Sequence, residues 1–103
     1  MIDIIYKQPN LEARLMKIPS KLYIFQNLTG GDIQAKEIFK GVAMITGAEG
    51  KLRGEDLNFE YGFAKIYGPA IFAGIEKGKY ISLTGFQKEI VRSLLERKGG
   101  ANE

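Results

Sequence analysis

The apolar stretches of this 103-residue chain are only a few residues long, and each stops at a cluster of turn residues. IDIIYK (2–7) runs into Gln8-Pro9-Asn10, GVAMIT (41–46) into Gly47-Ala48-Glu49-Gly50-Lys51, and AIFAGI (70–75) into Glu76-Lys77-Gly78-Lys79. Short runs rich in β-branched and aromatic residues are read as strands, with proline and glycine as the breaks between them. None approaches the roughly 20 apolar residues needed to cross a bilayer as a helix. At 45% hydrophobic and 26% charged residues the chain has enough apolar surface to fold, which a disordered segment lacks. Its length suits one domain with a thin core.

Between these runs the pattern is weaker but readable. Leu11, Ala13 and Leu15 alternate with Glu12, Arg14 and Met16, which predicts an antiparallel partner for the first strand. Ser20 can act as an N-cap for a short helix carrying Leu22, Ile24, Phe25 and Leu28, closed by Gly30-Gly31. Residues 32–39 form a less regular strand with Ile33 and Ala35 inward. The polar stretch 47–58 is the longest predicted loop. Phe59, Tyr61 and Phe63 alternate, although Gly62 and Gly68 interrupt any continuous strand. Residues 70–75 and 80–83 predict a hairpin. Thr84 and Gln87 match the capping box that opens a helix, and Phe86, Ile90, Val91, Leu94 and Leu95 repeat at helical spacing behind it. The expected fold is α+β: a small, mostly antiparallel sheet of five or six strands, a short helix after the first hairpin, and a C-terminal helix packed on the sheet. It forms a single domain over residues 1–98 with a frayed tail at 99–103.

The chain has no His, no Cys and no Trp. That removes disulfides, thiol nucleophiles, Cys-ligated zinc, and the commonest general base and metal ligand. The net charge of +3 is mild, and the surplus lies from Lys77 onward, with six basic groups against three acidic ones. Gly47-x-x-Gly50-Lys51 lacks the spacing and following hydroxyl of a phosphate-binding loop. Glu49, Glu55, Asp56 and Glu60 cluster in sequence without the spacing of a calcium loop, beside the neutralising Lys51, Arg53 and Lys65. No catalytic residue, metal ligand or cofactor site is therefore assigned. Candidates for binding a ligand or partner are Glu49, Lys51, Arg53, Asn58, Tyr61 and Lys65. The amide of Asn58 can either complete a turn or contact a ligand. Lys88 and Arg92, on the outer face of the last helix, are candidates for nucleic acid.

Four blocks in order, Leu28-Thr29-Gly30-Gly31-Asp32-Ile33, Glu49-Gly50-Lys51-Leu52 leading to Asn58, Gly68-Pro69-Ala70-Ile71-Phe72-Ala73-Gly74, and Ser82-Leu83-Thr84, span nearly the whole chain. Together they resemble a family of small phage, prophage and mobile-element proteins catalogued as a domain of unknown function. The chain departs from that pattern before Asn58, where Glu55-Asp56-Leu57 stands without a proline. The resemblance implies an accessory protein working in the cytoplasm of a bacterial host, and the amino end, MIDIIYKQPN, has no signal-peptide pattern. The expected function is a non-enzymatic module that binds and blocks a host component, either a defence protein or a small nucleotide signal. It has no membrane partner, and a sheet edge is open to homo-oligomer formation. The alternatives are a nucleic-acid-binding accessory factor using Lys51, Arg53, Lys65 and the C-terminal basic face, and a metal-dependent enzyme built on the carboxylates between Glu49 and Glu60.

Overall fold

Three apolar strands form the centre of the sheet, and each is buried on both sides. In the computed structural model, which describes residues 1–99, these are β1 (Ile2–Lys7), β4 (Val42–Gly47) and β7 (Ala70–Glu76). The flanking strands are β2 (Arg14–Ile18), β3 (Ile33–Phe39) and β8 (Lys79–Ile81). They build an antiparallel sheet in the order β2-β1-β7-β4-β3, with β8 paired to the far end of β7. Because neighbouring residues of a strand point to opposite faces, the central strands supply two cores at once. Ile5, Val42, Met44, Ala70 and Phe72 face one side, while Ile4, Tyr6, Ile45, Ile71 and Ala73 face the other. This is why these strands read as unbroken apolar runs rather than as alternating ones.

The second side is covered by helix α1 (Leu22–Thr29), which inserts Phe25 against the sheet and edge-on to Tyr80 at 5.2 Å. Gly30 ends α1 in the left-handed region at φ 92°, and the N–H groups of Gly30 and Gly31 both donate to the Gln26 carbonyl. At the other end Ser20 is not the cap. Lys21 holds that position without a side-chain bond, and the Ser20 hydroxyl donates instead to the carbonyl of Tyr80 at 3.1 Å.

The first side carries a separate two-stranded hairpin, β5 (Leu57–Tyr61) and β6 (Ala64–Tyr67), together with helix α2 (Gly85–Gly99). The sequence predicts a loop up to Asn58 and one interrupted strand after it. Gly62, at φ 61°, instead makes a tight reversal, and β6 returns along β5. The capping box of α2 is closed in both directions: Gln87 N–H donates to Thr84 Oγ1 at 3.1 Å, and Thr84 N–H to Gln87 Oε1 at 2.9 Å. Val91 and Leu95 are buried under α2, whereas Phe86 at its start is 75% exposed and does not belong to the core stripe. Lys17 and Lys88 both bond Asp3, tying β2 and α2 to β1 and holding that carboxyl below its ordinary range.

Two further expectations are corrected by packing. The inward residues of β2 are Met16 and Ile18, and Leu15 is exposed, because register with β1 sets Ile18 opposite Ile2. Ala35 on β3 is exposed, while Ile33 and Ile38 are half-buried. Of the tail expected at 99–103, Gly99 is the last residue of α2, and residues 100–103 lie outside the described residues. No helix among the described residues is long and apolar enough to cross a membrane.

Candidate functional site

Lys7 closes β1 on the same side as Ile5, so the strand period turns a lysine into the first core. It is only 7% exposed. Its Nζ donates to Asn58 Oδ1 at 2.9 Å and to the Gln8 carbonyl at 2.8 Å. Neither acceptor is charged, and among the described residues Lys7 forms no ion pair. Burial pushes the pKa of this amine below its ordinary value of 10.5.

Asn58 reaches Lys7 because β5 is irregular at this point. Leu57 pairs with Tyr67 and Phe59 with Ile66, so Asn58 has no partner in the ladder and bulges. The bulge breaks the alternation of the strand and buries Asn58 and Phe59 in succession. Nδ2 of Asn58 donates to the carbonyls of Lys7 and Gly68, both at 2.8 Å. Its two N–H groups are thereby used and its oxygen is turned to the ammonium, so Asn58 positions Lys7 instead of offering donors to a ligand.

Lys7 and Asn58 lie in the wall of a cleft of about 760 Å³ between the β1–β2 connection and α2. Arg92 and Leu95 of α2 line one side, Leu11 and Glu12 the other, and Glu96 completes the rim. Arg92 is exposed and forms no ion pair among the described residues. The cleft thus combines a desolvated cation, an exposed guanidinium, two carboxylates able to accept from hydroxyl or amino groups, and apolar walls. Such a set can hold a ligand with an anionic end and a polar, partly flat body.

The other residues singled out in the sequence separate from this cleft. Arg53 lies against Gly30 and Gly31 and pairs with Glu55 at 3.6 Å, while Glu55 packs under Gly68, so the two pin the 47–56 loop to the end of α1 and to the β6–β7 connection. Tyr61 is half-buried against the core, its hydroxyl donating to the Ile38 carbonyl at 3.1 Å. Lys88 is engaged with Asp3 at 3.2 Å. Glu49 is an exposed turn residue. Lys51 and Lys65 meet at a second, smaller groove on the far side of the β5–β6 hairpin. Among the described residues no three carboxylates gather in a group able to hold a metal ion, so the run from Glu49 to Glu60 does not converge. Sequence reasoning brought out Asn58 and Arg92 but missed Lys7. The readable signal was the period of two carrying the inward side of β1 from Ile5 to Lys7.

A family model described as Domain of unknown function (DUF3846) matches residues 2–96, which takes in both core faces and the whole Lys7 cleft. The chain belongs to this family. Searches of curated proteins and of solved structures each returned no match. The DUF3846 family match therefore covers α1, both sheets and α2 up to Glu96.

Proposed function

We propose that this DUF3846 protein is a non-enzymatic binding module that sequesters a small phosphate-bearing nucleotide in the Lys7 cleft. The observation that carries this reading is the ammonium of Lys7, buried with two neutral acceptors and no counter-ion among the described residues. A buried cation is costly until an anion joins it, and a phosphate oxygen would complete its charge. Arg92 can reach the same phosphate as a fork of donors. Glu12 and Glu96 suit the hydroxyls of a ribose, and Leu11 and Leu95 suit the face of a base. The absence of His and Cys from the sequence supports capture over nucleophilic chemistry. The resemblance of the four sequence blocks to phage and mobile-element proteins favours a setting inside a bacterial host, where removing a nucleotide signal would block a defence response.

Titration calorimetry with a panel of nucleoside phosphates and cyclic oligonucleotides tests the proposal. Saturable binding of at least one member, weakened about tenfold or more in Lys7→Met, is the expected result, since a charged hydrogen bond is worth about 1.5–3 kcal/mol. Methionine keeps the apolar stem while removing the charge. No binding by the wild type, or equal binding by a folded Lys7→Met variant, overturns the reading.

A further inference from the structure

The β5–β6 hairpin carries a second set of groups on its other side. Phe63, beside Gly62 in the tight reversal, is fully exposed to solvent. Phe63, Lys65 and Tyr67 follow at alternate positions, and all three line a groove of about 370 Å³. Alternate residues of a strand are about 6.6 Å apart on one side, so Lys65 and Tyr67 form a stripe along β6, which Phe63 extends from the turn before it. The opposite wall is the turn after β4, which supplies Lys51, its Nζ 6.0 Å from the centre of the Tyr67 ring. Gln34 and the buried Thr46 form the polar floor. The turn sits this close because Gly50 has no side chain: a Cβ there would lie 2.6 Å from the Tyr67 carbonyl oxygen.

Among the described residues the lining contains two lysines and no carboxylate. Glu60 stands opposite Lys65 in the ladder but does not close an ion pair with it. A fully exposed phenylalanine and a half-buried tyrosine, set beside two lysines without ion pairs among the described residues, are a combination that holds unpaired bases and their phosphates. We propose that this groove binds single-stranded nucleic acid, with phosphates tracking Lys51 and Lys65 and bases stacking on Phe63 and Tyr67. The site is separate from the Lys7 cleft and does not depend on what that cleft holds.

Fluorescence anisotropy with labelled oligo-dT and oligo-U of roughly 12 nucleotides tests it. Two phosphate contacts predict a salt slope of about −1.4, so affinity falls about sevenfold between 50 and 200 mM salt. Phe63→Ala, a change at a fully exposed side chain, should weaken binding about fivefold or more through lost stacking. Lys51→Gln with Lys65→Gln should flatten the salt dependence, and Lys7→Met should leave oligonucleotide binding unchanged. Failure of the wild type to bind at 50 mM salt overturns the proposal. So does equal binding by Phe63→Ala, or displacement by poly-glutamate as effective as by unlabelled oligonucleotide, which would assign the groove to an acidic protein.

Discussion

Lys7 and Asn58 form a closed arrangement in which each holds the other's backbone or side chain. The orientation of the amide follows from chemistry: an ammonium only donates and a carbonyl only accepts, so Oδ1 must face Lys7 Nζ and Nδ2 must face the carbonyls of Lys7 and Gly68. The charge on Lys7 is nevertheless a burden on the folded state, since burial lowers its pKa below 10.5. Below the folded pKa, lysine is charged in both states and the native state bears the desolvation penalty. As the pH rises through the folded pKa toward 10.5, the native state releases its proton first, the unfolded chain binds more protons, and stability rises. Urea denaturation from pH 7 upward should therefore show the wild type gaining stability relative to Lys7→Met as the pH approaches 10.5. A pH-independent difference would contradict a desolvated ammonium. Tyr6, whose phenol burial pushes above 10.0, is common to both proteins and cancels in the comparison. The sequence leaves Asn58 two roles, of which the structural one is favoured, but not the partners that fix it, because these are Lys7 and Gly68, 51 and 10 residues away.

At the level of single elements, local signals succeeded where the deciding contacts are local. The capping box of α2 spans only Thr84 to Gln87, and both of its bonds are present. Removing the Thr84 hydroxyl orphans the Gln87 N–H at the helix start, so Thr84→Ala should cost about 1 kcal/mol. Thermal unfolding followed by circular dichroism would then show a midpoint about 4–8 °C lower. Local signals failed for α1, where Ser20 has the right chemistry for a cap but is drawn off by the Tyr80 carbonyl, a partner 60 residues away. The β5–β6 hairpin was half legible. Phe59 and Tyr61 gave the first strand its alternation, but the bulge at Asn58 and the reversal at Gly62 disguised the pair as a loop and a broken strand.

For the whole molecule, the strands β1, β4 and β7 couple the two cores, because each contributes side chains to both faces. Phe72 lies at the centre of β7, fully buried, with its ring 6.0 Å from that of Phe59 in the hairpin. Its truncation leaves a cavity between the sheet, the hairpin and α2, and Phe72→Ala should cost about 3–5 kcal/mol. The loss should be shared by both faces: with Tyr61→Phe and Tyr67→Phe in the hairpin, tyrosine fluorescence reports only Tyr6, Tyr23 and Tyr80 on the α1 side, and it should unfold at the same denaturant concentration as the helical dichroism signal, most of which comes from α2. Separate transitions would show that the two faces fold independently.

The sequence by itself determined the class of the fold and the limits on its chemistry. Short apolar runs closed by glycine and proline specify strands, Thr84 and Gln87 specify the start of the last helix, and the lack of His and Cys excludes the reactions that need them. These properties belong to single residues or to neighbours a few positions apart. Only the tertiary structure decided which polar residues come together. Lys7, Asn58 and Arg92 lie on three different elements, and Lys51 meets Lys65 across a turn that Gly50 alone lets approach Tyr67. Side-chain convergence of this kind depends on strand order, a bulge and close backbone packing, none of which has a local signature in the chain.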